Sequence, residues 1–586
     1  MWTLSAASSA GLDNENGKAQ WERKVKWVRD AAKVKIGYSD FHGTELRRLE
    51  KSRAIELDID ESGIDVVTPL EAFIITMICI YVCQFLRTAV DQCPTAQYAI
   101  ELAVSGMEDG AHSQLTATSR LALLKERNFC WDALRWGATK DLSLPLQDSG
   151  DLWELSGGIF AQSHLSANPP SLRLLQFPSQ YRNIRVNSWR IPLLRNIQDF
   201  TIDPVQDLLV LVEKPIVIPT HNNVKEHVRI HIHLLSMATG QVHPSVAVQV
   251  INHDLDMQCT SEDLHLSIQV SGGLLGVLFL PSNDNPPYNK IPEVAVWDWM
   301  RGELVLIRSS REIATFAFLT SHLLLVGAVM NKVDIAEPGL YVLVISASNI
   351  KLTLTGDYIC AFRFPSFDLV VSPEVILIRS DPSPEWKPNR EVPFSIACGH
   401  RLFSITIQVK IEGSKKIVTY NLFTLASILS SYVTSLPRQT RRHTIKWDTW
   451  GPTGTRFLKS PPHSHDVWTG YVFGSKFVSL ITPPKSRAGQ PLQTIQVWDF
   501  NQLAFKRAKA LGVEKDNVHY VSDTTVVEDL DMFVKTIRTS LPYSVATRTL
   551  PPPRSPEDPT FTYAMCSEDT IFLVDEKRRR GRVFIF

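Results

Sequence analysis

The 586-residue chain lacks the short motifs that mark the common enzyme classes. It contains no Gly-rich phosphate loop, no His-Glu-x-x-His pair and no Gly-x-Ser-x-Gly nucleophile turn. Nucleotide-dependent, zinc-hydrolase and serine-hydrolase chemistry therefore has no recognisable site. The sequence favours a binding protein over an enzyme, with no cofactor expected.

Cysteine is scarce, and its eight copies are scattered without a Cys-x-x-Cys pair. A zinc knuckle and a thioredoxin-like site are therefore not indicated. The first ten residues also lack the basic and then apolar pattern of a secretory leader. Free thiols in a reducing compartment are the simplest interpretation, so we expect a cytoplasmic or nuclear protein.

The chain has no excess of charge, since Lys and Arg together number 61 and so do Asp and Glu. A zero net charge argues against a general nucleic-acid binder. The 44% hydrophobic fraction is ample for a buried core, so the chain as a whole is not of the disordered class.

Long hydrophobic runs are absent except for one, Phe73 to Cys83, which lies between Glu71 and Arg87. A membrane span needs about 20 apolar residues, and too few stand between these charges. A buried helix is therefore the preferred interpretation. A membrane-tethered protein using residues 72–86 is the minority alternative.

One sequence motif, a strand followed by a tight turn, recurs along the chain, and we call it the repeated phrase. Residues 293–306 alternate β-branched and aromatic side chains up to Trp297-Asp298, break at Gly302 and become apolar again. Residues 494–500 repeat the phrase with Trp498-Asp499, and residues 228–240 give a weaker copy ending at Gly240. Repeated strands that end in Trp-Asp are typical of β-propeller blades.

Three regions follow from the change in periodicity. Residues 1–65 are a charged segment with short helices, and residues 66–140 are helical, including a helix from Leu115 to Trp136 that is capped by Thr116 or Thr118 and ended by Gly137. Residues 150–586 alternate with period two and carry hairpins such as those about Gly157-Gly158 and Gly272-Gly273. This length divided by blades of about 40–60 residues predicts about seven blades.

Two groups of polar residues have the composition of metal ligands. His231 and His233 lie two apart on a predicted strand, so their rings can face the same side; ordinary half-exposed histidines are the stronger interpretation, because no third ligand is indicated. Asp254, Asp256 and Glu262 lie near Cys259, but their spacing matches no calcium loop. No metal site is predicted.

Three inserts stand out by composition, and each is interpreted as an excursion between strands that can lie on a binding face. Two are rich in proline, at 381–390 and 549–559, and the third, at 436–443, is short and basic. The basic run at 577–582 lies between two apolar strands and is interpreted as a charged hairpin turn.

The run from Val82 to Gly110 resembles the F-box proteins of mushroom-forming fungi. In that family a helix ending in Val-Cys-x-x-Leu-Arg leads into a Tyr-x-Ile-Glu-Leu-x-x-x-Gly-Met phrase, as residues 82–87 and 98–107 do here. The phrases at 153–161 and 199–212 also resemble the family. The usual opening Leu-Pro-x-Glu is replaced by Thr68-Pro-Leu-Glu71, so the resemblance implies a degenerate or truncated F-box.

An F-box docks on the Skp-type adaptor of a cullin-RING ubiquitin ligase, while the domain behind it recruits the target protein. The resemblance implies that Val82, Cys83, Phe85 and Leu86 belong to the helix that binds the adaptor or packs the module. It implies a non-enzymatic substrate receptor whose target is unknown. The alternative is a propeller interaction scaffold with no link to ubiquitin.

Overall fold

The computed structural model describes most of the chain from Gln84 onward. The described ranges are 84–110, 114–136, 142–145, 152–218, 227–255, 263–282, 291–329, 338–346, 352–354, 356–388, 392–414, 417–437, 439–460, 472–482, 492–512, 515–552, 560–575 and 580–586. Two compact units emerge: residues up to 108 with 114–125, and residues 109–113 with 126–586.

The first unit is helical. Helix α1 (Gln84–Asp91) is followed by α2 (Pro94–Ser105) and by the start of α3 (Ala117–Asp132). Cys93 caps α2 by accepting a hydrogen bond from the amide of Ala96, and Gly106 ends it in the left-handed conformation, at φ 66°. Gly106 therefore marks the end of α2.

The end predicted for α3 at Gly137 is wrong. Thr116 caps the helix as predicted, since its hydroxyl accepts from the amide of Ser119. The helix ends at Asp132, because Leu134 adopts a positive φ of 45° and turns the chain out of the helical path.

The second unit is a seven-bladed β-propeller, so the predicted fold class is confirmed. Blade one contains β3 (Trp153–Ser156), β4 (Ile159–His164), β5 (Ser171–Gln176) and β6 (Asn187–Pro192). Blade two contains β7 (Ile197–Asp203), β8 (Leu208–Glu213), β10 (His227–Ser236) and β11 (Val250–Leu255), with the short β9 (Ile216–Ile218) added beside β10. Blade three contains β12 (Leu264–Ser271), β13 (Leu274–Pro281), β14 (Glu293–Asp298) and β15 (Glu303–Ser309).

The next two blades are linked to each other by an insertion. Blade four contains β16 (Ile313–Thr320), β17 (Leu323–Ala328), β18 (Gly339–Val344) and β19 (Cys360–Arg363). Blade five contains β20 (Val371–Arg379), β22 (Leu402–Ile411), β23 (Ile417–Leu425) and β25 (Thr455–Lys459). Between β23 and β25, strand β24 (His443–Ile445) leaves blade five and pairs in parallel with β19. The basic insert at 436–443 leads into this strand.

The last two blades complete the ring. Blade six contains β26 (Val472–Phe473), β27 (Lys476–Ile481), β28 (Thr494–Asp499) and β32 (Tyr543–Thr549), with β29 (Val518–Val521) on its outer edge. Blade seven contains β33 (Tyr563–Cys566), β34 (Thr570–Asp575), β35 (Arg580–Ile585) and, from far upstream, β2 (Leu142–Pro145). Short strands outside the blades are β1 (Met107–Asp109), β21 (Phe394–Ile396), and the pair β30 (Thr525–Val527) and β31 (Ile537–Thr539).

The three copies of the repeated phrase occupy equivalent positions. They form β10, β14 and β28, which are the third strands of blades two, three and six. Trp297 is 2% exposed and packs edge-on against His253 at 5.2 Å. The following Asp298 accepts from the amide of Arg301 in the turn. The phrase therefore marks one structural position in the blade, as a propeller repeat requires.

Three helices within the propeller were not predicted. Helix α4 (Ala426–Ser435) and α5 (Trp447–Gly454) lie between β23 and β25, and α6 (Gln502–Ala510) follows β28. Each is short, and each occurs in a long connection within a blade. The period-two pattern of residues 150–586 is therefore interrupted in these connections.

The ring closes where blade seven meets blade one. Phe572 packs edge-on against Phe160 at 4.9 Å, and both belong to an apolar cluster that includes Phe177 and Met565. Strand β2 pairs with β35, with Leu142 opposite Val583. A strand from before the first blade therefore fixes the last one.

A buried group of charges, which we call the arginine–carboxylate cluster, joins α3 to the ring. The Nε of Arg127 donates to Asp569 Oδ1 at 2.7 Å, and Arg182 contacts both Asp569 (2.5 Å) and Glu568 (2.6 Å). Ser179 donates to the same Asp569 carboxylate. Each charge has a partner of opposite sign, as a buried ion pair requires.

The two faces of the ring differ in the connections they carry. Because strands in a blade are antiparallel, first strands begin at one face and end at the other. We call the face where they begin the upper face; connections between blades and from second to third strands lie there. The lower face carries the remaining connections. Among the described residues no helix is long and apolar enough to cross a membrane.

Candidate functional site

The first strands of all seven blades surround a central cavity of about 760 Å³. Side chains from β3, β7, β12, β16, β20, β26 and β33 line it, so every blade contributes to its wall. Cavities of this size in a rigid ring suit a small molecule or an inserted side chain.

The Pro-rich insert that begins at Asp381 forms part of this cavity. Trp386 packs edge-on against Phe473 of blade six at 6.2 Å, while a Cβ on Gly272 of blade three would lie 3.0 Å from the Cβ of Glu385. The segment between Asp381 and Trp386 therefore crosses the lower end of the central channel. The prediction of an excursion between strands is confirmed, and its place is the channel.

Three carboxyl groups face the cavity from three different blades. Glu154 of blade one accepts from the Thr201 hydroxyl at 2.8 Å and from the Ile202 amide at 3.1 Å. Asp199 of blade two accepts from the Phe200 amide at 2.8 Å, and Asp381 follows the first strand of blade five. Arg379 also lines the cavity.

The surroundings of these acids disfavour their charged forms. Burial raises the pKa of Glu154 to about 8, with help from the negative charges of Asp199 and Asp381. Burial also raises the pKa of Asp199 to about 6 and that of Asp381 to about 6, although Arg379 opposes both shifts. These three carboxyl groups are therefore harder to ionise than free ones, and Glu154 retains its proton near neutral pH.

Arg401 lies at the wall of the cavity, and its guanidinium hydrogen-bonds to backbone carbonyl groups. Its guanidinium donates to the carbonyls of Phe318 (3.2 Å) and Leu319 (2.8 Å) of blade four, and to Pro382 of the channel-crossing segment (3.3 Å). Burial lowers its pKa to about 10. Arg401 therefore fixes blade four, blade five and the segment to one another.

The cavity offers no activated thiol. Cys566 is the cysteine among the described lining residues, and burial raises its pKa to about 12. A thiol with this pKa stays protonated near neutral pH and is a poor nucleophile. Cys566 is therefore not activated as a nucleophile.

Exposed large apolar side chains of the propeller gather on the upper face. From their connections, those on the upper face are Leu165, Leu194, Ile216, Val217, Ile291, Leu369, Val370, Ile417, Ile481 and Leu492. Leu530 and Val534 join them, because this part of the third-to-fourth strand connection of blade six bonds to residues 366–368 ahead of β20. The lower face carries Val186, Val242, Val248, Met300 and Leu511. The upper face is therefore the more apolar of the two.

The two predicted histidines meet one carboxylate. His231 Nδ1 and His233 Nε2 each lie 3.0 Å from an oxygen of Glu213, and Arg195 contacts the same group at 3.2 Å. Although burial opposes the shift, hydrogen bonds from His231 and Arg195 lower the pKa of Glu213. In the described part of the chain, no three His, Cys, Asp or Glu residues are placed to hold a metal ion.

The other predicted ligands and site residues divide between described and undescribed parts. Asp254 pairs with Arg229 at 2.6 Å, while Asp256, Cys259 and Glu262 lie outside the described residues. Phe85 and Leu86 lie in α1, whereas Val82 and Cys83 also fall outside. So does the apolar run at 73–83, which keeps the membrane alternative a prediction.

Sequence reasoning missed the three cavity acids. Glu154 and Asp199 are charged residues inside the first strands of blades one and two, and Asp381 lies two residues after the first strand of blade five. A charged residue inside an inner strand of a propeller is a usable signal. This signal can be used only when the order of the strands in the blades is known.

Comparisons with known proteins add little to this structure. No protein-family model matches the chain, and the search of curated proteins found no match. Among solved structures, the WD40 domain of SCAP from fission yeast is similar, with 10% identity over 77% of this chain and 97% of that one and a TM-score of 0.36. The Nup133 β-propeller domain of Vanderwaltozyma polyspora has 10% identity over 76% and 97%, with a TM-score of 0.27.

Proposed function

We propose that this chain is a non-enzymatic protein-binding propeller whose upper face recognises the partner. The observation that supports this most is the gathering of exposed apolar side chains on that face. Exposed apolar groups cost free energy in water and are commonly buried against a partner. A ring of rigid sheets also holds its loops in fixed positions, which suits recognition.

The recognition face is tested by changing two of its side chains together. In Leu194→Glu/Leu492→Glu, two exposed positions on different blades become charged, while Val186→Glu/Leu511→Glu does the same on the lower face. We expect proteins captured from cell extract by the full chain to decrease about tenfold with the first variant and to remain with the second. Equal capture by both variants contradicts the upper face as the recognition surface.

Within this role, we propose the more specific function of a ubiquitin-ligase adaptor. The resemblance of residues 82–110 to fungal F-box proteins supports it, as does the presence of two successive helices, α1 and α2, over that stretch. Val82, Cys83, Phe85 and Leu86 would then contact a Skp-type adaptor. The propeller would hold the protein to be ubiquitinated.

Binding to a purified Skp-type adaptor tests this function. We expect the full chain to bind it and Phe85→Ala/Leu86→Ala to weaken binding at least tenfold. Arg87→Ala, at an exposed position on the same helix, serves as the control and should bind normally. Absence of binding by the unaltered chain contradicts the adaptor role and leaves the scaffold without a ubiquitin link as the second candidate.

A further inference from the structure

The basic insert at 436–443 is held by the backbone beside blade four. The amide of Arg442 donates to the Tyr358 carbonyl at 2.8 Å, and the amide of His443 donates to the Ile359 carbonyl at 3.0 Å. The pairing of β24 with β19 continues this contact. The end of the insert therefore has a fixed position beside the segment that precedes β19.

An arginine of blade three reaches the same place. Arg308 lies near the end of β15, and its Nη2 atom lies 3.8 Å from Asp357 Oδ2. The Nε of Arg441, from the basic insert, lies 3.7 Å from Asp357 Oδ1. The Nε of Arg442 donates to the Gly356 carbonyl at 3.1 Å. We call Arg308, Arg441, Arg442 and Asp357 the three-arginine site.

The guanidinium group of Arg308 is buried but lacks hydrogen-bond acceptors. Its side chain is 3% exposed, and among the described residues it makes one hydrogen bond, from Nη1 to the Ile307 carbonyl at 2.8 Å. Its Nε has no partner there, and the distance of 3.8 Å to Asp357 is too long for a hydrogen bond. Burial lowers the pKa of Arg308, although the charge of Asp357 opposes this shift. The edge formed by Nε and Nη2 therefore has unused donors.

Two other arginines of the propeller are equally buried and are surrounded by acceptors. Their acceptors include the carbonyls of Phe318, Leu319 and Pro382 for Arg401, and those of Asp523, Thr539 and Leu541 for Arg456. A buried charge without partners costs free energy. The difference between these arginines and Arg308 therefore points to a ligand that supplies the missing acceptors.

The charge at the site is positive. Asp357 is the carboxylate of the site, and its side chain is 51% exposed. In the described sequence, the charged residues within five positions of the site residues are two basic and two acidic ones, which offset one another: Arg311, Lys446, Glu303 and Glu312. Glu293, across the sheet from β15, already contacts His253 at 2.7 Å and accepts from the Ser309 hydroxyl at 2.6 Å. Three guanidinium groups therefore share one half-exposed carboxylate.

We propose that the three-arginine site binds a phosphoryl group, either of free phosphate or of a phosphorylated molecule. Two of its oxygens would accept from Nε and Nη2 of Arg308, because a guanidinium group binds phosphate through two parallel hydrogen bonds. Arg441 and Arg442 would contribute further positive charge, and the half-exposed side chain of Asp357 would turn into water. A phosphoryl group has three acceptor oxygens and nearly two negative charges, which match three guanidinium groups better than one carboxylate does. This inference goes beyond the protein-binding role and does not rest on it.

Isothermal titration calorimetry of the purified full-length chain with inorganic phosphate tests the site. We expect saturable binding at constant ionic strength and no binding when sodium chloride replaces the phosphate. The thermal unfolding midpoint should also rise with phosphate concentration, because a ligand that binds the folded state stabilises it.

Three variants locate the phosphate on the molecule. Arg441→Ala removes an exposed cation, while Arg308→Lys keeps a positive charge but removes the paired donors; each should weaken phosphate binding about tenfold. Arg229→Ala removes an exposed arginine that pairs with Asp254 in blade two, so it is the matched control and should bind normally. Thermal melts check that each variant is folded, and Arg441→Ala decides the outcome if Arg308→Lys does not fold.

Asp357→Asn distinguishes a ligand site from a structural ion pair. The carboxylate competes with phosphate for the same guanidinium groups, so its removal should tighten phosphate binding about threefold or more. An ion pair that served only the fold would bring no gain in phosphate binding when Asp357 is changed.

A short peptide of Gly and Ala with one phosphoserine identifies the source of the phosphoryl group. If it binds at least as tightly as inorganic phosphate, while the same peptide with serine does not bind, the site accepts a phosphorylated protein segment. If inorganic phosphate binds and the phosphoserine peptide does not, the site accepts small free phosphates. Both results support a phosphoryl site.

Three outcomes would overturn the proposal. They are the absence of saturable binding by the folded, unaltered chain up to about 20 mM phosphate, normal phosphate binding by both Arg441→Ala and Arg308→Lys, and weaker binding by Asp357→Asn. None of these measurements depends on capture through Leu194 and Leu492, so failure of the phosphoryl site and failure of the protein-binding role are distinguishable.

Discussion

Two groups of acidic side chains lie in the interior of this propeller, and their surroundings shift the pKa values of Asp569 and Glu154 in opposite directions. In the arginine–carboxylate cluster, burial alone would raise the pKa of Asp569, but Arg182 and Arg127 hold it well below its usual range. In the central cavity, burial raises the pKa of Glu154 to about 8. A carboxylate compensated by arginine stays charged inside the fold, whereas an uncompensated buried carboxyl group keeps its proton.

The largest expected effect comes from breaking the compensated group. Arg182→Met leaves Glu568 and Asp569 buried with one cation fewer, and removing one partner of a buried ion pair costs about 3–5 kcal/mol. We expect a large fall in the urea concentration at the unfolding midpoint. Arg229→Met, which breaks an exposed pair with Asp254, is the control and should leave the midpoint nearly unchanged. Similar effects of the two variants would contradict the role assigned to the cluster.

The second prediction concerns the uncompensated group and its pH dependence. The pKa of Glu154 is about 8 in the folded state and 4.5 in a free side chain, so the folded state retains a proton that the unfolded state loses. The free energy of unfolding should therefore fall as pH rises from about 5 to about 8. Since one pKa unit corresponds to about 1.4 kcal/mol and the cavity is open to solvent, we expect a fall of about 2–3 kcal/mol.

Glu154→Gln sharpens this comparison. The amide keeps the size of the side chain but cannot ionise, so the variant should be more stable than the unaltered chain at pH 8 and nearly equal to it at pH 5. Urea unfolding at both pH values measures the difference. An unchanged slope in the variant would show that Glu154 does not carry the pH dependence.

The smallest expected effect concerns the hydroxyl that donates to Glu154. This hydrogen bond from Thr201 lowers the pKa of Glu154, so Thr201→Val should raise that pKa and move the fall in stability to higher pH. The lost hydrogen bond itself is worth about 1 kcal/mol. Thr201→Ser retains the hydroxyl and should restore the original profile, as measured by unfolding across pH 6–9.

Much of the ring was predictable because its signals are local. Alternating side chains identified the strands, Gly157-Gly158 and Gly272-Gly273 marked hairpin turns, and the Trp-Asp phrase identified equivalent third strands. Each signal depends only on neighbours in sequence. Successive side chains of a strand point to opposite faces of the sheet, so an alternating pattern marks a strand wherever its two faces differ in burial.

The helices within long connections were missed for a physical reason. Helix α4 is fixed by burial of Leu429 against blade five, which no local period reveals. Helix α6 did carry a local signal, since Asn501 accepts from the amides of Leu503 and Ala504 as its cap. An Asn directly after an apolar strand is a helix-start signal that the sequence itself contains.

The cavity acids were beyond local reasoning. Glu154, Asp199 and Asp381 come together only because three blades meet at one axis. Sites made from distant segments become visible only when the order and closure of the sheets are known.

The pairing of Leu142–Pro145 with Arg580–Ile585 also has a consequence for synthesis. More than 400 residues must be synthesised after β2 before its pairing partner β35 leaves the ribosome. During that interval blade one lacks the neighbour that covers Phe160, so the growing chain presents an apolar edge that chaperones recognise. A chain halted before its last blade would remain an unclosed arc and a target for degradation.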